Sequence, residues 1–326
     1  MKVLLTGATG FVGSHILDSL CIRGLDVVAL VRATSSSHWI APQLPKITLV
    51  EGSIDDPVSL QRALAGVTHV IHCAGATKAL NRAGFFRANH LGTRHVVDAV
   101  NAHGGIARLL LISSLAAAGP ARPGSPRQEA DPPAPVSTYG RSKLAGEQEV
   151  SGRCQADYTI LRPSAVYGPR DLEFLRFFQA VQRHLRPNVA GGRQELSLVF
   201  AKDLAETAVQ CLTHPAAARQ TYFVANAEVV TLRQLLLEIA SHMSVRTVPV
   251  PVPGPVVWLG CLVQEILAQI TRRPRVLSLQ KFAELRQRAW SCSPAKLQRE
   301  TGLVCRTTIF EGVPRAYEWY RWDYLL

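Results

Sequence analysis

The sequence has no pattern of cysteine or histidine that would hold a disulfide framework or a structural zinc ion. Its seven cysteines are an odd number, lie far apart and include no C-x-x-C pair. No histidines stand near them at the spacing of metal ligands. Small disulfide-stapled scaffolds and zinc modules are therefore excluded, and we predict no metal site.

Acidic residues are scarce, yet the excess of basic residues is not gathered into clusters. The chain has 24 Asp and Glu against 36 Lys and Arg, a formal net charge of +12 and a pI near 9.7. The cations are mostly single arginines among apolar and small residues, which is unlike the clustered pattern of nucleic-acid binders. We therefore predict no nucleic-acid partner, because attraction to an anionic cofactor or surface explains the excess.

Long apolar runs are also lacking, and the best candidate is residues 256–270. This run is interrupted by Gln264 and Glu265, is too short for a membrane span, and is followed by a basic cluster at 271–275. A cap helix over an apolar substrate pocket is the favoured interpretation. The alternative is a weak peripheral membrane contact through residues 256–275.

The sequence shows no room for a secretion signal, because the first predicted strand begins at residue 2. We therefore expect a cytoplasmic protein. With 326 residues, 47% of them hydrophobic and 18% charged, the composition is that of an ordinary globular enzyme. One core domain with a smaller cap is expected.

What the sequence does have, at its very beginning, is an apolar strand that runs into three glycines spaced G-x-x-G-x-x-G. Gly7 allows the tight turn out of the strand, Gly10 lets the backbone approach a pyrophosphate, and Gly13 lets the next helix lie close to the sheet. A helix at 15–23 and a second apolar strand at 26–31 complete the unit. The pattern predicts a nucleotide-binding loop whose helix amides face the phosphates.

The end of the second strand indicates which dinucleotide is bound. NAD-selective sites usually place an acid there for the ribose hydroxyls, whereas this chain has Arg32 followed by a run rich in hydroxyl side chains. A guanidinium and hydroxyls suit a 2′-phosphate. We predict a preference for NADP(H), with NAD(H) as the alternative.

Short apolar segments alternate with helical ones along the rest of the chain. The further strands are predicted at 47–50, 68–72, 108–113, 158–162 and 221–224, with helices such as 91–103 and 201–213 between them. Seven strands in this order predict an α/β fold with a doubly wound parallel sheet and a ligand at the carboxyl ends of its strands. We predict a dinucleotide-binding domain over 1–165, its sheet completed by about 195–225, and a mostly helical substrate-binding cap over 166–326.

Three side chains carry the catalytic hypothesis. Tyr139 and Lys143 stand four residues apart, so both project from one face of the predicted helix, and the ammonium should depress the pKa of the phenol. Upstream, a strand ends in Ser113 and Ser114, where a hydroxyl can polarise a substrate carbonyl. A phenol, an ammonium and a hydroxyl at a dinucleotide site predict acid–base chemistry on a carbonyl.

Together these features resemble the extended short-chain dehydrogenases/reductases, the superfamily that also holds the NAD-dependent epimerases and dehydratases. The resemblance covers essentially the whole chain. It rests on the motifs Thr6-Gly7-Ala8-Thr9-Gly10-Phe11-Val12-Gly13, His72-Cys73-Ala74-Gly75-Ala76, Asn89-His90-Leu91-Gly92-Thr93, Ser113-Ser114, Tyr139-Gly140-Arg141-Ser142-Lys143 and Arg162-Pro163-Ser164-Ala165-Val166-Tyr167-Gly168-Pro169. It implies a Rossmann fold and a nicotinamide dinucleotide, and the nearest branch looks like that of the dihydroflavonol reductases and 3β-hydroxysteroid dehydrogenases.

The resemblance also implies roles for single residues. The family places its catalytic hydroxyl five residues before a glycine, which selects Ser114 because Gly119 follows it, so Ser114, Tyr139 and Lys143 would be catalytic. The cofactor would be bound by Gly7, Thr9, Gly10, Phe11, Val12, Gly13, Arg32, Ser53, Ile54, Ala74, Gly75, Thr77, Asn89, Tyr139, Lys143, Pro163 and Val166. The backbone after Pro163 would meet the nicotinamide carboxamide.

Two departures from the family pattern affect the ligands. Where the family commonly has Gly-Asp after the third strand, this chain reads Gly52-Ser53-Ile54-Asp55, so the adenine contact is weaker unless Asp55 partly substitutes. The segment 190–194 lacks the fuller pattern with which nucleotide-sugar enzymes grip a diphosphate.

The sequence leaves three functions open. The first is an NAD(P)-dependent oxidoreductase that interconverts a ketone and a secondary alcohol on a largely apolar small molecule. The second is a nucleotide-sugar epimerase with tightly held NAD, in which four arginines would grip a diphosphate: Arg170, Arg176, Arg183 and Arg193. The third is a cofactor-binding scaffold without turnover, and for each of the three a homodimer is left open.

Overall fold

The computed structural model describes residues 1–272, 275, 278–323 and 325–326. The strands are β1 (Lys2–Thr6), β2 (Asp26–Val31), β3 (Thr48–Glu51), β4 (His69–His72), β5 (Arg108–Ile112), β6 (Asp157–Pro163), β7 (Ala165–Tyr167), β8 (Leu185–Val189), β9 (Glu195–Phe200), β10 (Gln220–Val224), β11 (Val229–Thr231), β12 (Val248–Val252) and β13 (Ala289–Trp290). The α-helices are α1 (Phe11–Ile22), α2 (Pro57–Ala63), α3 (Arg82–Phe86), α4 (Gly92–His103), α5 (Leu115–Ala118), α6 (Thr138–Arg153), α7 (Leu175–Gln182), α8 (Ala201–Cys211), α9 (Leu232–His242), α10 (Gly254–Thr271), α11 (Leu279–Leu285), α12 (Ala295–Thr301) and α13 (Ile309–Trp322).

Seven strands form one parallel sheet in the order β10-β6-β5-β4-β1-β2-β3. These are the seven strands predicted from the sequence, with ends that differ by one or two residues, and the doubly wound fold is confirmed. Strands such as β5 are buried along their whole length, because helices cover both faces of the sheet. The chain order reverses at β1, which lies between β2 and β4, so the ligand crevice is expected beyond the ends of β1 and β4.

Helices cover the sheet on two sides. Apolar residues of α1 and α8 pack on one face, and those of α2, α4 and α6 pack on the other. The two helices α1 and α8 also pack directly on each other. The central strands of the large sheet are thus buried, whereas the edge strand β3 is mostly exposed.

The C-terminal part builds the cap. Helices α7, α9 and α13 enclose a third core around Tyr167, Phe178 and Tyr320. Two small sheets, which the sequence did not predict, accompany them: β7, β9, β11 and β13 in one, and β8 with β12 in the other. Because α8 and β10 return to the large sheet, the part after residue 166 serves both regions, and the predicted boundary at 165/166 stays a prediction.

Candidate active site

The glycine-rich loop lies at the point where the strand order reverses. A Cβ added to Gly7 would come within 2.6 Å of the backbone nitrogen of Ala74, so the loops after β1 and β4 touch. A Cβ on Gly13 would lie 2.0 Å from the carbonyl oxygen of Gly7. Helix α1 begins after Gly10 without a side-chain cap, which leaves its first amides for a ligand.

This loop fits the pyrophosphate of a dinucleotide, because only residues without a Cβ allow the backbone to fold this tightly. Thr9, Phe11 and Val12 are partly exposed beside the glycines.

At the other end of the predicted site, Pro163 ends β6, and the hydroxyl of the next residue, Ser164, is buried with no hydrogen-bond partner in the described part of the chain. A bound polar group could satisfy that hydroxyl.

The residues predicted near the adenine and its ribose line the neighbouring strand ends. Arg32 follows β2 and is exposed. The Ser53 hydroxyl accepts a hydrogen bond from the amide of Asp55, and Ile54 packs against Gly92. The Asp55 carboxylate forms an ion pair with Arg87 at 3.1 Å, so its charge is already paired within the protein.

The remaining predicted cofactor residues lie along the carboxyl edge of the sheet. Ala74, Gly75 and Thr77 belong to the loop after β4, and Val166 lies in β7. Asn89 is buried in a π-helical turn, Arg87–Leu91, between α3 and α4. Such turns frequently mark functional sites.

Asn89 ties the loop after β4 to helix α6. Its side-chain oxygen accepts a hydrogen bond from the amide of Ala76 at 2.8 Å. Its side-chain nitrogen donates to the carbonyl oxygen of Ala76 and to the hydroxyl of Ser142, both at 2.9 Å. The polar atoms of Asn89 thereby hold the cofactor loop next to the helix that carries Tyr139 and Lys143.

Ser114 and Tyr139 come together in space. Ser114 follows β5 and caps α5, where its hydroxyl accepts from the amide of Ala116 at 3.1 Å. Tyr139 lies in the first turn of α6, which Ser137 caps through the amide of Gly140. The Ser114 hydroxyl lies close enough to the phenol of Tyr139 to lower its pKa by hydrogen bonding to the charged form.

The net effect on Tyr139 is nevertheless a raised pKa. Burial raises the pKa of the phenol to about 12, and the carboxylates of Glu284 and Glu173 add to this effect. The predicted net effect, a depressed pKa for Tyr139 beside Lys143, is wrong for this structure because burial outweighs any effect of the ammonium. Tyr139 therefore holds its proton at neutral pH, as a proton donor must.

Lys143 projects from the same helix one turn later, but its ammonium points to the end of β5. It donates a hydrogen bond to the carbonyl oxygen of Ile112 at 2.7 Å. Burial lowers the pKa of Lys143 to about 8, against the opposing effect of Cys73 and Glu147. The lysine is thus a buried cation of reduced basicity at the carboxyl edge of the sheet.

Two ion pairs near Tyr139 were not found from the sequence. Lys78 and Glu173 lie 2.8 Å apart, and Lys281 and Glu284 lie 2.9 Å apart. Burial lowers the pKa of Lys281, but Glu284 and then Glu173 raise it above its ordinary value. Helix α11 of the cap brings the second pair over the site from a distant part of the chain, and no local pattern marks it.

A buried ionic network lies directly behind Ser114 and connects the end of β5 with α6 and β6. The Ser113 hydroxyl donates to Glu147, and Arg162 donates to the same carboxylate from Nε at 3.0 Å and from Nη2 at 2.6 Å. All three side chains are buried. Glu147 follows Lys143 by one helical turn, so the spacing that identified Lys143 could also have found this carboxylate.

Tyr139 also has an aromatic neighbour in helix α3. The ring of Phe85 lies 6.2 Å from the ring of Tyr139. A small cavity beyond Phe85 is lined by the apolar residues Ala79, Leu80 and Ala268 and by the polar residues Glu265, Arg275 and Ser278. The apolar part of this lining can contact an apolar group of a substrate.

The four arginines considered for a diphosphate grip do not form one group with free charges. Arg170 forms an ion pair with Asp18 of α1 at 2.8 Å. Arg176, Arg183 and Arg193 are exposed.

In the ranges that the structure describes, no group of three or more His, Cys, Asp and Glu side chains could hold a metal ion.

Comparison with known proteins now identifies the family. The model of the family described as NAD dependent epimerase/dehydratase matches residues 3–225. The chain belongs to this family. It is an NAD(P)-dependent oxidoreductase of the extended short-chain dehydrogenase/reductase type, which confirms the resemblance seen in the sequence.

Members with different activities are similar to it. The ceramide reductase of Caulobacter vibrioides (strain NA1000 / CB15N) is 29% identical over 319 residues, which cover 98% of this chain and 94% of that protein. The UDP-glucose 4-epimerase of Vibrio cholerae is 27% identical over 267 residues, covering 77% and 79%. The structure of the Thermus thermophilus UDP-glucose 4-epimerase in complex with NAD has the same fold, with a TM-score of 0.77, 23% identity and coverage of 98% and 99%.

Proposed function

We propose that this chain interconverts a ketone and a secondary alcohol on a largely apolar substrate, with Ser114, Tyr139 and Lys143 as its catalytic residues. The observation that carries the proposal is that Ser114 and Tyr139 lie close enough at the carboxyl edge of β5 for the serine hydroxyl to influence the pKa of the phenol. Both hydroxyls are available to one substrate oxygen. The glycine-rich loop that is expected to bind the dinucleotide lies at the same edge of the sheet.

The proton chemistry follows from the site. When bound, the dinucleotide supplies the hydride for the carbonyl carbon. Ser114 and Tyr139 donate hydrogen bonds to the carbonyl oxygen, and Tyr139 gives up its proton as that oxygen becomes a hydroxyl. In the reverse direction the tyrosinate accepts the proton of the alcohol. Removal of either hydroxyl should cost about 10²–10⁴ in rate, as is usual for general acid–base catalysis.

We assign two roles to Lys143: it binds the ribose of the cofactor, and its charge stabilises the deprotonated form of Tyr139. Its ammonium is buried at the edge where the loop after β4 meets α6, and one of its donors is already used by Ile112. The remaining donors can hold hydroxyl groups. A cation placed there also favours the tyrosinate that forms when a ketone is reduced.

We assign the cofactor as NADP(H) in preference to NAD(H). The exposed guanidinium of Arg32 at the end of β2 supports this choice, since it can pair with a 2′-phosphate. An acid that would select the free ribose hydroxyls is not found at this position.

The substrate class is assigned as a ketone with long apolar groups, such as an acyl, isoprenoid, flavonoid or steroid ketone. The Phe85 ring beside Tyr139 supports this class, as do the apolar side chains of Ala79, Leu80 and Ala268, which line a small cavity at Phe85 together with polar residues. The similarity to a ceramide reductase over nearly the full length of both chains supports a lipid-like ketone.

A nucleotide-sugar epimerase is the second candidate, favoured by the similarity to the Vibrio cholerae enzyme. It would use the same three residues and would retain its NAD through each turnover. The arginines expected to grip a diphosphate weaken this candidate, because Arg170 is paired with Asp18 and the other three are exposed.

The two candidates differ in how the cofactor is held. Freshly purified protein is denatured, and any released dinucleotide is identified by mass spectrometry; protein freed of cofactor is titrated with NADPH and with NADH. We expect an empty or exchangeable site that binds NADPH more tightly. Stoichiometric retained NAD⁺ would overturn the NADP(H) assignment and support the epimerase.

A further inference from the structure

Helix α10 exposes a continuous stripe of large apolar side chains. Val256, Leu259, Val263, Ile266 and Ile270 follow one another at intervals of three and four residues, so they lie along one face. Their exposed fractions are 58%, 54%, 46%, 51% and 72%. A contiguous apolar patch of this kind marks an interaction surface.

Two polar residues of α10 lie off the stripe and form hydrogen bonds with the protein, although Gln269 stays exposed to solvent. Gln269 donates to the carbonyl oxygen of Leu80 at 2.9 Å, and Glu265 accepts from the amide of Leu279 at 2.8 Å. Cys261 and Ala268 are the buried residues of this side. A helix of a soluble protein normally has the opposite arrangement, so the outer side of α10 is built for an apolar environment.

We propose that α10 lies along the surface of an anionic lipid bilayer, with this stripe immersed at the boundary between head groups and acyl chains. Lipid surfaces take up helices whose apolar face is broad and whose neighbouring charges are basic. The stripe is flanked by Gly260, Leu262 and Leu267 and therefore widens into an apolar arc. A helix pair with a second copy would favour a narrow seam with charged flanks.

The charges next to the stripe match an anionic surface. Arg272 ends α10 in a left-handed conformation and is exposed, and Arg275 is exposed as well. Arg273 stands between them in the sequence and lies outside the described residues. The chain as a whole carries a net charge of +12, and Trp258, 44% exposed, belongs to a residue type that prefers the membrane interface.

The contacts of α10 also decide how the helix meets the bilayer. By length and composition alone its 18 residues could cross a membrane, whereas the sequence predicted a run too short to do so. One side of the helix, however, is hydrogen-bonded to the loop at Leu80 and to the start of α11. A helix fixed in this way rests on the membrane instead of spanning it.

This placement gives an apolar substrate a route to the site, a consequence that rests on the proposed function. Glu265 and Ala268 of α10 line a small cavity together with Phe85, whose ring lies 6.2 Å from the ring of Tyr139. A lipid-like ketone would reach Tyr139 from beneath α10 without crossing water. The docking itself does not depend on turnover and can be tested without substrate.

Flotation of the full-length protein with lipid vesicles tests the proposal. Vesicles of phosphatidylcholine alone are compared with vesicles that also contain phosphatidylglycerol, at low and at high salt. The wild type should float with the anionic vesicles, and less so at high salt. The triple variant Leu259→Gln, Val263→Gln, Ile266→Gln should lose more than about tenfold in bound fraction.

The matched control variant replaces three exposed apolar residues outside the stripe, Ile22→Gln, Val58→Gln and Phe310→Gln, and should float like the wild type. Unchanged NADPH affinity shows that both variants are folded. A wild type that stays in solution with both vesicle types, or a triple variant that floats undiminished, would overturn the proposal. So would a triple variant that turns a lipid-free dimer into a monomer, since the stripe would then be an interface between copies.

Discussion

The ammonium of Lys143 donates a 2.7 Å hydrogen bond to the backbone carbonyl oxygen of Ile112, at the end of the strand that leads to Ser114. Helix α6 is thereby fastened to the edge of the sheet at the level of the proposed chemistry. Burial at this place takes the ammonium out of water and lowers the pKa of Lys143 to about 8. Positioning a cation here therefore costs folding stability.

Replacing Lys143 should make the cofactor-free protein more stable at neutral pH. The pKa of Lys143 falls from 10.5 to about 8 on folding, so the folded state binds this proton less tightly than the unfolded state. The penalty is complete below about pH 8 and disappears as the pH rises toward 10.5. Lys143→Met should raise the free energy of unfolding by on the order of 2 kcal/mol at about pH 7 and by much less at about pH 10.

Urea unfolding at the two pH values measures this effect. Lys46→Met, at an exposed lysine, serves as the control and should leave the free energy of unfolding nearly unchanged at both. An equal effect of Lys143→Met at both pH values would show that burial of its charge is not the cause.

Removing the Glu284 carboxylate should lower the pKa of Tyr139. Glu284 raises that pKa through its negative charge, and without it the ammonium of Lys281 is left facing the site. In Glu284→Gln we expect the tyrosinate to form at a pH lower by about half a unit to one unit. Tyrosinate absorbance, corrected by the same titration of a Tyr139→Phe background, measures the shift.

Glu228→Gln changes an exposed carboxylate and should leave the titration of Tyr139 in place. A shift toward higher pH in Glu284→Gln would contradict the electrostatic account of this site.

The buried pair of Glu147 and Arg162 should be costly to break from one side. Arg162→Met leaves the carboxylate buried with Ser113 as its remaining partner, and we expect a loss of about 3–5 kcal/mol in the free energy of unfolding. Adding Glu147→Gln should restore part of it. Denaturant unfolding of the two single variants and the double variant gives the coupling.

Arg87→Met, which breaks the exposed pair with Asp55, is the control and should remain close to the wild type. A double variant less stable than Arg162→Met alone would contradict the idea that the unpaired carboxylate causes the loss.

Reversing the charge of Arg32 should change the choice of cofactor. In Arg32→Glu the affinity for NADPH should fall about tenfold or more, because a charge-assisted contact to the 2′-phosphate is replaced by repulsion, while the affinity for NADH changes little. Fluorescence titration with both dinucleotides measures the ratio. The control variant is Arg23→Glu, at an exposed arginine directly after the last residue of α1, and it should leave the ratio unchanged. An unchanged ratio in Arg32→Glu would refute the NADP(H) assignment.

Much of the fold and of the central site could be predicted from the sequence, because the signals are local. The strand and glycine loop at 2–13, the buried strands such as 108–112 and the helical spacing of Tyr139 and Lys143 all lie within short segments. The chemistry that these segments bring together depends on the doubly wound parallel sheet, which the alternation of strands and helices also predicts.

The missing parts depend on contacts between distant segments. β12 reads Val-Pro-Val-Pro-Val, and prolines argue against a strand, although the structure pairs it with β8 at the edge of the cap. The pKa of Tyr139 was predicted in the wrong direction because its burial and the charge of Glu284 come from the tertiary structure. The polar inner side of α10 is likewise visible only once its partners at Leu80 and Leu279 are known.

Turnover of a ketone with a long acyl chain with NADPH, compared between the wild type, Tyr139→Phe and Tyr158→Phe, tests the central claim most directly. We predict that the wild type forms the secondary alcohol, that Tyr139→Phe loses about 10²–10⁴ in rate with NADPH affinity unchanged, and that Tyr158→Phe, which lacks a hydroxyl on β6 instead, stays active. A Tyr139→Phe variant that works as fast as the wild type would contradict the assignment of Tyr139 as the proton donor.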